Sequence, residues 1–156
     1  TVSTSACSTA CRTAIIGLPP PDPIGRKVGF LGWRSIGADS LADRLRAGWQ
    51  VMLTGYPKDR SHVISVDLGC GAALKNGHIV HSCFTTQGDS GGPLLLVKGD
   101  RMMVIGVNSS TEKNTSRAIP LRTFDRSLKE MLGLKAKLSN AQISRLARGM
   151  PPGAVN

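Results

Sequence analysis

From residue 28 onward the apolar residues come in short runs, rich in Val and Ile and broken by Gly, Pro, Asn and Asp. Runs of this length predict strands at about 28–33, 49–54, 62–68, 78–84, 93–98, 102–108 and 117–120. Lys75-Asn76-Gly77 and Lys98-Gly99-Asp100 supply turns between them, because Asn and Gly tolerate the positive φ of a tight hairpin. Six or seven short antiparallel strands in about 95 residues predict an all-β barrel or sandwich. Residues 39–47 fit one or two helical turns inside a connection.

The flanks differ in pattern. Residues 1–27 read as an irregular N-terminal segment, and the closely spaced prolines between Gly17 and Gly25 exclude a helix or central strand there. After the last strand, Leu121, Phe124, Leu128 and Leu132 repeat at helical spacing, with Gly133 as a stop. A second helix is signalled by Ser139 with Gln142 as a capping box and Leu138 stapling against Ile143, and it ends at Gly149. These boundaries give three parts: 1–27, a barrel with a closing helix over 28–133, and a basic helical tail over 134–156.

Composition narrows the class. The 156 residues suit one domain of ordinary size or two very small ones, and 40% apolar against 19% charged residues is enough for a packed core. Eighteen Gly and nine Pro argue for many turns and against a helical bundle. No apolar run approaches the roughly 18 residues of a membrane span, so a soluble chain is expected. Net charge is +10, and residues 121–156, with 7 basic and 2 acidic side chains, carry half of it. Such a tail suits a polyanionic partner or a solvated surface. Aromatic residues make up only 4%, too few to stack bases, so no specific nucleic acid is expected. Thr1-Val-Ser-Thr-Ser has neither a basic start nor an apolar segment, so it is not a signal peptide, and a processed chain or a piece of a longer one is expected.

The chemistry is concentrated in Cys83-Phe84-Thr85-Thr86-Gln87-Gly88-Asp89-Ser90-Gly91-Gly92-Pro93. Serine is a weak nucleophile until a base takes its proton and donors stabilise the oxyanion that forms. Glycines around Ser90 permit a sharp turn and close approach of an acyl substrate. The Gly88 and Ser90 amides are then placed to serve as an oxyanion hole. Pro93-Leu94-Leu95-Leu96-Val97 anchors the loop in the barrel.

Gly-Asp-Ser-Gly-Gly-Pro resembles the nucleophile signature of the trypsin/chymotrypsin family of serine endopeptidases, in its bacterial branch. Gly55-Tyr56-Pro57 with Asp59, Cys83 before the nucleophile, and Val104-Ile105-Gly106-Val107-Asn108-Ser109 after it extend the resemblance. It implies a trypsin-like antiparallel β-barrel, the second barrel of a two-barrel fold, with C-terminal helices. It makes Ser90 the nucleophile, Gly88 and Ser90 the oxyanion donors, Asp89 a structural partner, and Cys70 and Cys83 a disulfide. Phe84, Thr85, Gln87, Asn108 and Ser109 become substrate-binding positions, with Phe84 where a trypsin-like pocket carries an acid, and Ser109 on the strand that pairs with substrate. No cofactor is implied. Cys7 and Cys11 lack a second ligand pair, so no metal is expected.

The family's His and Asp precede its Ser and lie on a first barrel. None of His62, His78 and His81 sits in the family's histidine block, and Asp59 and Asp67 read as turn and strand residues. Only 89 residues precede Ser90, whereas a two-barrel protease needs roughly 200–250 in all. The expectation is therefore the nucleophile half of a serine endopeptidase acting on polypeptides, inactive alone, whose His and Asp come from a missing N-terminal barrel. A lone second barrel is also expected to expose apolar surface. The alternative is a non-catalytic, protease-like binding module with a basic tail. The family's exported members and the implied disulfide suggest a secreted or periplasmic location.

Overall fold

In the computed structural model of the chain, residues 2–3, 15–16, 25–112 and 115–131 are described. The elements run β1 (Val2–Ser3), β2 (Ile15–Ile16), α1 (Gly25–Val28), β3 (Gly32–Trp33), α2 (Ala38–Arg46), β4 (Gln50–Gly55), β5 (Ser65–Cys70), β6 (Ala72–Lys75), β7 (His78–His81), β8 (Pro93–Lys98), β9 (Arg101–Glu112), β10 (Thr115–Pro120) and α3 (Asp125–Met131). Single 3-10 turns lie at Lys58–Arg60 and Leu121–Thr123. The chain divides into one unit of residues 1–30 with 124–156 and another of residues 31–123. The predicted helix over 139–149, with Cys7 and Cys11, lies outside the described residues.

In the first unit β1 pairs antiparallel with β2, Val2 opposite Ile16. The helix α3 begins with Asp125 and carries two ion pairs at i,i+4 spacing, Lys129 with Asp125 and Arg126 with Glu130. Acid toward the N-terminus and base one turn on is the favourable order for Lys129 and Asp125.

The second unit is a mostly antiparallel sheet in the order β5-β4-β8-β9-β10-β7-β6, with β3 added parallel to β9. β5 and β6 are its two edges, yet only Gly71 separates Cys70 from Ala72. One residue spans at most about 7 Å between its neighbours, so the two edges meet at this corner and the sheet must curl, as in an all-β barrel. The corner is fastened by the Cys70–Cys83 disulfide. Ser82 also donates its amide to the Gly71 carbonyl at 3.0 Å, and its hydroxyl accepts from the Gly71 amide at 2.9 Å.

Strand alternation sets the interior. Val51 and Leu53 from β4, Leu94 and Leu96 from β8, Ile105 from β9, Ala118 from β10 and Ile79 from β7 are all buried. Burying each large aliphatic side chain contributes roughly 1.5–3 kcal/mol. The helix α2 adds Leu41, and Trp49 lies with the guanidinium groups of Arg44 and Arg101 each 5.2 Å from its ring. On the same inward faces, His81, Asn108 and Ser116 are also buried, so one region of the interior is polar.

The strand predicted over 78–84 ends at His81 and the one over 102–108 runs on to Glu112, and three further local expectations change. The strand predicted over 28–33 shrinks to Gly32–Trp33 behind the turn Gly25–Val28, because Gly29 sits at φ 80° and breaks the extended run. The strand predicted over 62–68 starts at Ser65 and ends at Cys70, the 3-10 turn having taken the residues before it. β6 was not predicted: Ala-Ala-Leu-Lys has little intrinsic strand preference. Asn76 (φ 48°) and Gly77 (φ 80°) form the hairpin that folds it onto β7.

Candidate active site

The segment 88–92 is held between β4 and β9 by close backbone approach. A side chain at Gly88 would place its Cβ 2.5 Å from the Lys58 nitrogen and 2.9 Å from the Tyr56 oxygen, and Gly88 has φ 108°. Gly92 lies against the Thr54 carbonyl in the same way. The Lys58 amide donates to the Gln87 carbonyl at 2.7 Å. The glycines of the motif thus let the loop lie directly on the turn after β4, which side chains would prevent.

Asp89 is buried beneath the loop. Its carboxylate accepts from the Thr86 amide at 2.8 Å and the Thr86 hydroxyl at 3.3 Å, and Ser65 Oγ lies 3.4 Å from its other oxygen. Ser90 is exposed at the tip, and its hydroxyl donates to the Ser109 carbonyl at 3.0 Å. The geometry of β9 explains that contact. Ser110 pairs with Arg117 and Asn108 with Ala118, so Ser109 is the extra residue of a β-bulge, which re-aims backbone groups out of the ladder. The Gly88 and Ser90 amides donate to no acceptor among the described residues.

The remaining candidates divide by environment. Phe84 is exposed, and its amide donates to Asp67 Oδ2 at 2.6 Å. Thr85 is half-buried, its hydroxyl 2.6 Å from that of Ser116, and Gln87 is exposed. Asn108, by contrast, is 3% exposed, with both ends of its side-chain amide engaged inside the protein. Nδ2 donates to the Asp89 carbonyl at 3.1 Å, and Oδ1 lies 3.2 Å from His81 Nε2.

His81 is the residue whose part in the site its sequence did not announce. It lies on the inward face of β7, within a strand-like run, and among the described residues its ring is hydrogen-bonded to the loop's neighbour Asn108. Burial pushes its imidazole below the ordinary range, while the Asn108 hydrogen bond and the Asp67 carboxylate pull the other way. His78 Nδ1 lies 3.0 Å from the Asn76 carbonyl, and His62 is exposed. Asp59 is paired with Arg60 at 3.5 Å. Among the described residues, no imidazole or carboxylate is hydrogen-bonded to Ser90 Oγ.

Asp67, Cys70 and Cys83 bring three ligand-type atoms within 4.8 Å of one another, but the two sulfurs are bonded to each other and offer no thiolate to a metal. Among the described residues, no helix is long and apolar enough to cross a membrane. The arrangement is thus an exposed hydroxyl on a rigidly held turn, next to two amides without acceptors, with no base on the hydroxyl. Searched against protein-family models and against curated proteins, the chain gives no match.

Proposed function

We propose that this chain is the nucleophile half of a trypsin-like serine endopeptidase. Ser90 attacks the peptide carbonyl, and the Gly88 and Ser90 amides stabilise the resulting oxyanion. The observation that carries the reading is the combination at the loop tip: an exposed Ser90 hydroxyl and two neighbouring amides without acceptors among the described residues. Preorganised donors of this kind stabilise charge as it develops, and removing one costs about 10²–10³ in kcat. The general base and its carboxylate partner are assigned to a separate barrel. Without them turnover falls by about 10⁶, so amide hydrolysis requires both halves. The Cys70–Cys83 disulfide favours a secreted or periplasmic setting.

The test uses the protein isolated from its source. Fluorophosphonate is expected to label Ser90, and Ser90→Ala to abolish both labelling and amide hydrolysis. Hydrolysis that survives Ser90→Ala sinks the reading. One observation favours a second reading, a non-catalytic protease-like binding module: Ser90 Oγ donates to the Ser109 carbonyl rather than to an imidazole. In that case the native protein takes up no fluorophosphonate, and Ser90→Ala changes nothing.

A further inference from the structure

We propose that Asn108 and His81 are positioning residues that orient the Ser90 amide through the Asp89–Ser90 peptide plane. The consequence for catalysis rests on Ser90 being the nucleophile; the hydrogen-bond relay does not.

The Asp89 carbonyl and the Ser90 N–H belong to one planar trans peptide, so they point in opposite directions. The carbonyl accepts from Asn108 Nδ2 at 3.1 Å and from the Gly92 amide at 3.1 Å. Holding that oxygen toward the interior turns the Ser90 N–H outward, where it has no acceptor among the described residues. Asn108 is itself fixed to the loop: its amide donates to the Gly92 carbonyl at 2.8 Å, and its carbonyl accepts from the Gly91 amide at 2.7 Å. One residue of β9 therefore makes three hydrogen bonds to the loop.

The shape of an asparagine side chain does not decide which end faces Asp89; its partners do. His81 Nε2 lies 3.2 Å from Oδ1. When Nε2 carries the proton, it donates to Oδ1 and leaves Nδ2 for the Asp89 carbonyl. In the other tautomer a bare Nε2 faces Oδ1, two acceptors together. Flipping the amide to relieve that contact sets Oδ1 against the Asp89 carbonyl, again two acceptors. Only the Nε2–H form satisfies the whole relay.

The far side of the ring agrees with this assignment. His81 Nδ1 is buried and has no hydrogen-bond partner among the described residues, so a proton placed there has none of their acceptors to bind. Ala72 on β6, Ser116 on β10 and Asn108 on β9 face His81 without charge, and Asp67 on β5 is the charged group that acts on it. Protonation of His81, at a pKa that burial holds below the ordinary histidine value of about 6.5, adds a proton at Nδ1 and keeps Nε2–H. The hydrogen bonds of the relay therefore persist, and the amides it holds sense the new charge.

The test is NMR on the full 156-residue chain labelled with ¹⁵N. The imidazole nitrogen shifts of His81 are expected to report Nε2–H with bare Nδ1; an Nδ1–H tautomer overturns the proposal. The Ser90 and Gly91 amide shifts should titrate together with His81, at a midpoint below 6.5. In His81→Phe and Asn108→Asp the Gly91 and Gly92 amides should exchange about tenfold faster, with those of Leu94 and Leu96 unchanged. His81→Gln keeps a donor where Nε2 stood, so it should retain slow exchange and lose the pH dependence. A role in packing alone predicts that Phe serves at least as well as Gln, and that result overturns the proposal. Should Asn108→Asp fail to fold, the wild-type tautomer and the Phe/Gln contrast still decide. Absence of fluorophosphonate labelling at Ser90 in the native protein counts against the nucleophile reading and leaves these results standing.

Discussion

At Gly88 two demands coincide, a left-handed backbone and room for the neighbouring turn. The nearest atoms to an added Cβ are backbone ones, Lys58 N at 2.5 Å and Tyr56 O at 2.9 Å, and backbone cannot swing aside as a flexible side chain can. Gly88→Ala is therefore expected to lower the unfolding free energy by about 2–4 kcal/mol in urea titration. Gly99 has φ 55° and open space around it, so Gly99→Ala should cost only about 1 kcal/mol. Equal losses in the two variants would mean that the close approach at Gly88 carries no energy. The loop around Ser90 stands out in the sequence because its glycines and its serine are contiguous in the chain. The His81–Asn108 contact spans 27 residues, and nothing around either residue in the sequence points to the other. Asn108 was expected at the substrate; the structure shows its amide already engaged by Asp89 and His81.

At the scale of elements, the sheet depends on the corner between β5 and β6. Gly69 has φ 86°, and the β4–β5 register slips there, Val51 pairing with Cys70 and Met52 with Leu68. That bulge precedes the residue that meets Cys83, and Asp67 on the same strand binds the Phe84 amide. The segment leading into the loop is thus tied to β5 twice. With the two cysteines 13 positions apart in sequence, joint replacement Cys70→Ser and Cys83→Ser is expected to cost about 2–4 kcal/mol, measured by urea unfolding. Amide exchange should rise first at Gly71 and Ser82, whose mutual bonds share the corner. A loss below about 1 kcal/mol would show that hydrogen bonds alone hold it. Strands rich in Val, Ile and Leu were readable from the sequence. β6 was not, since pairing through the Asn76-Gly77 hairpin, rather than the preference of Ala-Ala-Leu-Lys, makes it a strand.

For the whole molecule, charge and exposed apolar surface act against each other. β5 is an edge strand, and it carries Val66 and Leu68 outward at 57% and 52% exposure, with Val63 and Ile64 exposed just before it. The outward face of an exposed antiparallel strand is ordinarily polar, and an apolar edge strand is an association hazard. A net charge of +10 opposes association, but that repulsion is screened over about 10 Å at 0.1 M salt and 3 Å at 1 M, and sulfate strengthens apolar burial further. The 156-residue chain is therefore expected to sediment as a monomer at low salt and to self-associate as sodium sulfate is raised. Val66→Thr with Leu68→Thr keeps strand preference and removes the apolar strip, so this double variant should stay monomeric at the same salt. Association through the basic tail and a polyanion has the opposite salt dependence, weakening as salt rises. If the double variant associates as readily as the wild type, the strip on β5 is not the adhesive surface; if the wild type stays monomeric throughout, its exposure has no consequence for the isolated chain.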